Sequence, residues 1–264
     1  MILAIDIGNT KTAVGLVEGT DVRARASAAT NAATNAATNA QPALAAAWAK
    51  LCRDVGKAPR LDGAIVCSVV PKATPAVMQA VRELTGLEPI EYTAATPIGI
   101  TVRYEPPSDV GADRLVNAYA AWQLHGLPAI IADIGTALTI DCINAKAEYL
   151  GGVIAPGIGI SLDALHTRTA LLPKVELEAP PRVLGTSTVT SIQSGVTHGH
   201  TLMIGGLIAK LRDELGFGPE TQIIITGGYT VVLAPHLLQI SDLIDPDLTL
   251  RGLALIHQRI RSSA

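Results

Sequence analysis

Aromatic residues are almost missing from this chain: phenylalanine, tryptophan and tyrosine together make up 3% of its 264 residues. Hydrophobic residues nevertheless reach 48%, so a sizeable core can form, built mainly from alanine, valine, isoleucine and leucine. The length allows one large domain or two domains of ordinary size.

The chain also lacks a block of basic residues. Its 20 lysines and arginines are outnumbered by 23 aspartates and glutamates, which gives a net charge of −3. Because proteins that bind nucleic acids depend on lysine and arginine to neutralise phosphates, this composition argues against a nucleic-acid partner.

Membrane and secretion signals are missing as well. No run of 18 apolar residues occurs, since Asp133 and Asp141 interrupt the best candidate, so we expect no membrane span. The first residues lack a basic region and a cleavage site, and the three cysteines (Cys52, Cys67 and Cys142) have neither metal-type nor C-x-x-C spacing. We therefore expect a cytoplasmic protein with buried thiols.

Two common glycine-rich nucleotide motifs are absent from the sequence. There is no G-x-x-x-x-G-K-[ST], and the glycine-rich stretch from 149 to 161 does not fit G-x-G-x-x-G because residue 162 is leucine. The sequence therefore predicts neither a P-loop nor a Rossmann nucleotide site.

A compact strand–turn–strand motif opens the chain, from Met1 to Leu16 (MILAIDIGNTKTAVGL). An apolar run reaches Asp6, a turn of glycine, asparagine and threonine follows, and a second strand begins near Thr12. Such a turn brings a carboxylate, backbone N–H groups and hydroxyls to one point, which are the groups needed to hold a metal-complexed phosphate. The alternative is a plain hairpin with a capping aspartate.

The same motif occurs a second time near the middle of the chain. Residues Ala129 to Ile143 (AIIADIGTALTIDCI) again run into Asp-Ile-Gly, with Asp133 and Thr136 in the positions of interest. A supersecondary unit that is present in both halves indicates duplication. Two such hairpins favour a nucleotide held in a cleft between two lobes.

Strand and helix patterns alternate in the rest of the chain, which predicts an α/β fold with mixed sheets flanked by helices. We expect two lobes, residues 1–115 and 116–264. The longest helical pattern runs from Thr188 to Leu215 with Ser187 as its N-cap, and its glycines indicate either a subunit interface or a close crossing within the chain. The repeat from Ala29 to Ala40 (ATNAATNAATNA) is expected to be a mobile surface loop.

The segment Gly-Ala-Asp-Arg carries the most informative acid outside the hairpins. Asp113 lies at a predicted helix start, where the helix dipole favours its ionised form, and it is either a general base or an ordinary first-turn aspartate. Arg114 is either a fork for a carboxylate or phosphate or a solvated charge, and Tyr104 either lines the same pocket or belongs to the core. His198 and His200 lack a third ligand at a zinc-like spacing, which argues against a transition-metal site.

Five motifs in register give the chain a resemblance to a known family: DIGNT, GADR, DIGTALTID, YLGGVIAPGIGIS and STVTSIQSG. They resemble the type III pantothenate kinase family, and the resemblance extends over nearly the whole chain, including LPKVEL and DPDLTL. It implies membership of the acetate and sugar kinase/Hsp70/actin superfamily, with two ribonuclease-H-like lobes and a cleft between them. The implied activity is ATP-dependent phosphorylation of pantothenate to 4'-phosphopantothenate, the first step of coenzyme A biosynthesis.

The resemblance also implies a role for each matching residue. Asp113 would be the base, Asp133 would hold a monovalent cation (K⁺ or NH₄⁺), and Asp6 would act on Mg²⁺ through water. The ATP-binding residues would be Asp6, Ile7, Gly8, Asn9, Thr10, Lys11, Thr12, Ala13 and Thr136. The pantothenate-binding residues would be Tyr104, Gly111, Ala112, Asp113, Arg114 and Thr188. A homodimer is implied too, in which the partner subunit helps to close the substrate pocket.

Three alternatives stay open at this point: another small-molecule kinase of the superfamily, a non-enzymatic regulatory relative, and an assembly ATPase resembling actin or Hsp70. Only Tyr104, Arg114 and Thr188 favour pantothenate over another alcohol. The presence of Asp113 and Asp133 argues against a relative that has lost activity, and 264 residues are few for an assembly ATPase. The chain departs from the usual family sequence at the threefold repeat, at Lys11 and at Ser187.

Overall fold

The computed structural model describes residues 1–30, 36–56, 58–241 and 243–263. Their backbone packs into two compact units. The first consists of Met1–Leu124 together with Asp247–Ala264, and the second of His125–Pro246.

The first unit contains a mixed five-stranded sheet. Its strands are β1 (Ile2–Ile7), β2 (Lys11–Glu18), β3 (Asp21–Ala29), β4 (Gly63–Ser68) and β5 (Ile90–Tyr92), in the spatial order β3-β2-β1-β4-β5. Strands β1, β2 and β3 form an antiparallel meander, whereas β4 and β5 run parallel to β1. Three helices, α1 (Ala36–Asp54), α2 (Thr74–Thr85) and α3 (Ala112–His125), and a two-residue strand, β6 (Thr101–Val102), lie between or after these strands in the chain.

The second unit repeats this arrangement. Its strands are β7 (Ala129–Ile134), β8 (Ala137–Ile143), β9 (Glu148–Pro156), β10 (Gln222–Thr226) and β11 (Leu243–Ile244). They follow the order β11-β10-β7-β8-β9, again with an antiparallel meander and two strands parallel to its first member. The helices are α4 (Ile158–Thr167), α5 (Thr188–Leu215) and α6 (Thr230–Leu237). The predicted fold class, two ribonuclease-H-like mixed sheets flanked by helices, is confirmed.

The duplication extends to the burial of individual residues. In both β1 and β7 four buried residues precede a half-buried aspartate, Asp6 or Asp133, and a buried isoleucine follows it. The two cores are almost entirely aliphatic, as the composition requires. Residues such as Ile5, Leu51 and Val66 form the first core, and Ile130 and Ile204 belong to the second. Each fully buried side chain of this size contributes about 1.5–3 kcal/mol to folding.

The compact units differ from the predicted lobes in two respects. The helix α3 runs without a break across the expected boundary at residue 115, so the first unit continues to Leu124. The last helix, α7 (Leu248–Ser263), returns to the first unit, where Gly252 packs against Val116 and Gly63 packs against His257. Both glycines leave no room for a Cβ, which would lie 2.8 Å from the Val116 oxygen and 2.1 Å from His257 Nε2.

Local predictions met with mixed success. The helix α5 has the predicted bounds, and Ser187 caps it, since its hydroxyl accepts a hydrogen bond from the Thr190 N–H. The repeat from Ala29 to Ala40 is not one loop, because Ala29 ends β3 and α1 begins at Ala36; residues 31–35 lie outside the described part of the chain. Within the described ranges, no helix is both long and apolar enough to cross a membrane.

Candidate active site

The first unit presents the turn between β1 and β2 as predicted. The Gly8 N–H donates to the Lys11 carbonyl at 3.0 Å, and the exposed turn residues Asn9 and Thr10 lie between the two strands. Lys11 is exposed, so its ammonium group is available to an anion. A turn of this kind offers backbone N–H groups and hydroxyls to a phosphate.

Not every residue of that segment presents its side chain to a ligand. Ile7 is fully buried in the core. The Thr12 hydroxyl is buried and forms a 2.8 Å hydrogen bond with the Thr30 hydroxyl, and Ala13 pairs with Asp6 across the hairpin. These residues therefore shape the turn through their backbone rather than through their side chains.

Asp6 and Asp113 lie near the same buried thiol. Cys67 on β4 is the register neighbour of Asp6 on β1, and Asp113 belongs to the first turn of α3. Burial, and then the charges of Asp6 and Asp113, raise the pKa of the Cys67 thiol well above its usual range. Both carboxylates thus act on one thiol, which stays protonated and is not a nucleophile.

The start of α3 holds the Asp113 carboxylate close to the backbone. Its Oδ1 accepts a 2.8 Å hydrogen bond from the Arg114 N–H, and a Cβ on Gly111 would lie 2.6 Å from that same oxygen. The positive end of the helix dipole favours the ionised form of this carboxylate. A side chain at 111 would therefore have to push this carboxylate aside, and the ionised form is the one that can accept a proton from an alcohol.

Arg114 and Tyr104 form a second part of the same region. The Arg114 guanidinium carbon lies 5.9 Å from the centre of the Tyr104 ring, within the range of a cation–π interaction, and the Arg114 side chain is buried. Ala112, the first residue of α3, is buried beside them in sequence. The structure therefore brings together the predicted residues from Tyr104 and from the Gly-Ala-Asp-Arg segment.

In the second unit, the backbone of the turn after β10 packs against Asp133. Asp133 pairs with Thr226 on β10, and the chain then turns at Gly227, whose φ is +102°. A Cβ on Gly227 would lie 2.5 Å from Asp133 Oδ1 and 2.5 Å from the Ile134 nitrogen. Only glycine fits between the carboxylate and the turn.

Thr136 belongs to the matching turn between β7 and β8. Its side chain is exposed, and the Gly135 N–H donates to the Ala137 carbonyl at 3.1 Å. Gly157, just before α4, packs on this turn so closely that a Cβ would lie 2.2 Å from the Thr136 oxygen. The Tyr229 N–H also donates to the Ile134 carbonyl, at 3.2 Å. Two other segments of the second unit, one before α4 and one before α6, thus contact this turn and the strand end before it.

Thr188 lies elsewhere in the second unit, as the first residue of α5. It lines a groove between α4 and α5, with a volume of about 1150 Å³, to which the segment 185–188 also contributes. The capping box between Ser187 and Thr190 fixes the start of the helix and so the position of Thr188.

The histidines and cysteines form no metal centre: the described ranges contain no group of three or more His, Cys, Asp or Glu that could hold a metal ion. The His200 ring nitrogens face the carbonyl oxygens of Val196 and Pro156, and His198 stacks edge-on against His236 with ring centres 4.7 Å apart. The three cysteines are free; Cys67 and Cys142 are buried as expected, while Cys52 is only half-buried.

The oxygen-rich turns suit hard cations. Carboxylate, carbonyl and hydroxyl oxygens are the donors that Mg²⁺ and K⁺ prefer. Because residue 227 is glycine, no side chain at that position occupies the space beside the Asp133 carboxylate. The residues of both hairpins are therefore chemically suited to a metal-complexed phosphate.

Comparison with known proteins decides the family. A family model described as "Type III pantothenate kinase" matches residues 2–210. The chain is 37% identical to the type III pantothenate kinase of Moorella thermoacetica, over 98% of this chain and 99% of that protein, and 40% identical to that of Rubrobacter xylanophilus, over 97% of each. This chain belongs to the type III pantothenate kinase family. The predicted family and enzyme class are confirmed.

Solved structures agree with this assignment at the level of the fold. A structure described as a conserved putative Baf family transcriptional activator from Campylobacter jejuni matches with a TM-score of 0.57 at 18% identity, over 98% of this chain and 99% of that one. A ROK family glucokinase from Streptomyces griseus, in complex with glucose and AMPPNP, matches with a TM-score of 0.55 at 13% identity, over 98% and 99%. At such identities these likenesses establish the shared fold alone.

In this type III pantothenate kinase family member, some residues around the second hairpin turn carry no local sequence signal. The contact of Gly227 with Asp133 joins segments nearly 100 residues apart, so no local sequence pattern reveals it. Gly157 and Tyr229 contribute through backbone atoms, which carry no side-chain signal. Only the three-dimensional packing identifies them.

Proposed function

We propose that this chain transfers the γ-phosphoryl group of ATP to the primary hydroxyl of pantothenate, producing 4'-phosphopantothenate and ADP, the first step of coenzyme A biosynthesis. The observation that carries the proposal is that the charges of Asp6, at the end of the strand before the β1–β2 turn, and of Asp113 both act on the buried Cys67 thiol. Membership of the family supports the choice of substrate.

Asp113 is the proposed base. Its carboxylate accepts a hydrogen bond from the primary hydroxyl of pantothenate and takes the proton as the new oxygen–phosphorus bond forms, while ADP leaves with the electron pair of the broken bond. The transition state of phosphoryl transfer is loose, so alignment and charge neutralisation provide most of the catalysis. The hydrogen bond from Arg114 N–H to Asp113 Oδ1 fixes the carboxylate for this task.

The two hairpin turns are the proposed phosphate sites. The segment from Asp6 to Ala13 and Thr136 would bind ATP through backbone N–H groups and hydroxyls, and the exposed Lys11 directly after the turn would contact a phosphate. Asp6 would hold Mg²⁺ through water, and Asp133 would hold K⁺ or NH₄⁺. These cations, when bound, neutralise charge on the phosphates.

The proposed pantothenate site uses Tyr104, Gly111, Ala112, Asp113, Arg114 and Thr188. The buried Arg114 supplies a fixed positive charge, because its guanidinium cannot lose its proton in a protein. Its contact with the Tyr104 ring limits its rotation, so that the guanidinium is oriented before the substrate arrives.

The proposed assembly is a homodimer that uses the outer face of α5 and α6. Gly195, Gly199, Leu202 and Gly206 follow one another along one exposed side of α5, and Leu202 is 75% exposed. On α6 and just after it, Val231 and Leu238 are 65% and 57% exposed. Large exposed aliphatic side chains beside small residues are typical of a surface that packs closely against another helix.

The three free cysteines are consistent with a reducing, cytoplasmic location.

The decisive test is a mass-spectrometric assay of the purified protein with ATP, Mg²⁺ and pantothenate, first with K⁺ and then with Na⁺ as the only monovalent cation. We expect phosphopantothenate with K⁺ and very little with Na⁺. Equal product under both conditions would retain the kinase and remove the role of Asp133. A folded protein that binds ATP but leaves pantothenate unmodified would contradict the proposed substrate, and glucose, the ligand of a structural neighbour, would then be tested as the acceptor.

A further inference from the structure

Two threonines flank Asp133 in the sheet of the second unit. Thr139 on β8 and Thr226 on β10 are its register neighbours, one on each adjacent strand. Register neighbours on adjacent strands point to the same face of a sheet, and the strands lie about 4.8 Å apart. The carboxylate and the two hydroxyl groups therefore form one row across the end of the sheet. This row lies on the face opposite the aliphatic core that contains Ile134 and Ile225.

The matching row of the first unit carries no hydroxyl group. There Asp6 takes the place of Asp133, and its register neighbours are Ala13 on β2 and Cys67 on β4. Neither a methyl group nor a protonated thiol offers an oxygen to a cation, so the carboxylate is the one side-chain oxygen donor among these three positions. The two halves of the duplicated fold thus differ at both positions beside the aspartate, which points to a task that the second aspartate performs alone.

A chain of hydrogen bonds fixes the hydroxyl group of Thr139. Its Oγ1 donates to Asp141 Oδ2 at 3.3 Å, and Asp141 Oδ1 accepts a 2.6 Å hydrogen bond from the Tyr149 hydroxyl. Asp141 and Tyr149 are both fully buried. A hydroxyl group has one proton and two lone pairs, and Thr139 uses its proton towards Asp141. Its oxygen is therefore left to act as an electron-pair donor, which is what a cation requires.

We propose that the hydroxyl oxygens of Thr139 and Thr226 bind the monovalent cation together with the carboxylate of Asp133. This inference rests on the proposed function, in which Asp133 holds that cation. A K⁺ ion exchanges its hydration water for protein oxygens, and neutral oxygen dipoles serve this purpose in selective sites. One carboxylate balances the single charge, and the two hydroxyl groups add oxygens without adding charge. Asp141 and Tyr149 are positioning residues, since they act on the cation only through Thr139.

A purely structural role for these hydroxyl groups is the competing explanation. Thr139 provides a hydrogen bond to a buried carboxylate, and the loss of that bond lowers stability whatever cation is present. Such a role would lower the unfolding temperature equally in K⁺ and in choline, a cation too large for the row. The experiment must therefore measure the response of the protein to K⁺ rather than its stability alone.

The test uses the variants Thr139→Val and Thr226→Val, in which a methyl group replaces the hydroxyl at nearly the same volume. The unfolding temperature is measured as K⁺ replaces choline at constant ionic strength, with Mg²⁺ and AMPPNP present and pantothenate absent. A cation that binds the folded protein raises this temperature as its concentration increases. We expect the K⁺ concentration at half of the rise to increase about 10-fold in each variant, as for one lost polar interaction. Thr139→Ser keeps the hydroxyl and should restore the K⁺ response.

Thr221→Val is the matched control. Thr221 is a buried threonine of the same unit whose hydroxyl donates to the Gly218 carbonyl at 2.7 Å, and it precedes β10 at the end remote from Asp133. Its loss should lower the unfolding temperature equally in K⁺ and in choline.

The inference is overturned if a folded valine variant at 139 or 226 keeps the K⁺ response of the unmodified protein. It is also overturned if the unmodified protein unfolds at the same temperature in K⁺ and in choline. A failure of the proposed function is recognised separately, as the absence of phosphopantothenate from the assay of the unmodified protein, because the thermal measurement contains no pantothenate.

Discussion

Gly227 and Asp133 are packed so closely that a single added carbon would collide with the carboxylate, at 2.5 Å from Oδ1. Gly227→Ala must therefore displace the Asp133 side chain, and its φ of +102° adds strain of about 1–2 kcal/mol for a residue with a Cβ. If Asp133 holds the monovalent cation, we expect kcat to fall on the order of 10²-fold and the K⁺ concentration for half-maximal activity to rise. A K⁺ titration of the phosphorylation rate measures both.

Gly228→Ala is the control for this prediction. No atom lies within 4 Å of a Cβ at residue 228, and its φ is not in the left-handed region, so the variant should behave like the unmodified protein. A Gly227→Ala protein with an unchanged K⁺ dependence would show that the Asp133 carboxylate has no part in cation binding.

Asp113→Asn tests the assignment of the base. The amide keeps the size of the carboxylate but cannot accept the proton of the substrate hydroxyl, so we expect kcat to fall by about 10²- to 10⁴-fold. Because Asp113 does not belong to either hairpin turn, the affinity for ATP should change little. Steady-state kinetics and a direct ATP-binding measurement separate the two effects.

Asp109→Asn provides the comparison for that variant. Asp109 is exposed and lies in the short 3₁₀ turn just before α3, so its loss removes one negative charge from the same region without removing the base. It should retain nearly full activity. Were both variants to lose activity equally, a general electrostatic effect would replace the specific role of Asp113.

Much of the fold could be predicted because its signals are local. The strands β1 and β7 are apolar runs that end in Asp-Ile-Gly, and α5 carries a helical pattern with an N-cap serine, so each is determined by residues that are near one another in sequence. The return of α7 to the first unit was not predicted, since it depends on the packing of Gly252 on Val116, which lie 136 positions apart. The two short elements α6 and β11 likewise carry too few residues for a periodic pattern.

The same contrast between local sequence signals and contacts of distant residues applies to the candidate site. The residues at strand ends and at the start of α3 were identified from motifs, because a carboxylate after an apolar run or at a helix start has a recognisable sequence context. The role of Cys67 as the shared neighbour of Asp6 and Asp113 depends on strand register and was invisible in the sequence.

Gly199→Ala tests the proposed dimer surface. The residue lies mid-helix on the exposed side of α5, and nothing lies within 4 Å of an added Cβ, so in an isolated subunit the change should stabilise the helix by about 0.5–1 kcal/mol. If a second copy packs closely on this face, the methyl group separates the helices and weakens the dimer. We expect sedimentation velocity to show dissociation at low micromolar concentration.

Gly205→Ala, on the same helix, is the matched substitution away from that face. Its Cβ would contact Ile240 at 3.6 Å, an ordinary van der Waals distance within the subunit, so the dimer should persist. A Gly199→Ala protein that is more stable and has the same sedimentation coefficient as the unmodified protein would rule out close packing at this face.

Tyr149 and Tyr92 are both buried, but their hydroxyl groups have opposite surroundings. The Tyr149 hydroxyl donates a 2.6 Å hydrogen bond to the fully buried Asp141 carboxylate, whereas the Tyr92 hydroxyl is buried without a hydrogen-bond partner in the described ranges. Tyr149→Phe should therefore lower the free energy of unfolding by about 1.5–3 kcal/mol, and Tyr92→Phe should leave it unchanged or raise it. Urea denaturation of both variants measures the difference, and equal losses would contradict the unpaired state of Tyr92.

His257 makes the stability of the first unit depend on pH. Burial beneath Gly63, and then the charge of Arg261, lower the pKa of the His257 imidazole, while Asp62 opposes this shift. The unfolded chain, with an ordinary imidazole pKa near 6.5, therefore takes up this proton before the folded protein does as the pH falls. The free energy of unfolding should decrease from about pH 7 downwards and level off below the pKa of the folded state.

His257→Gln removes this proton uptake and should flatten the stability profile on the acid side of neutrality. Asp62 does not interfere, because the hydrogen bond and the charge of the Met1 amino group lower the pKa of its carboxyl, so it stays ionised throughout that range. Urea denaturation at a series of pH values between about 5 and 8 compares the two proteins where an imidazole titrates. Profiles that remain parallel over this range would mean that His257 titrates alike in the folded and unfolded chains, and that another group causes the loss of stability in acid.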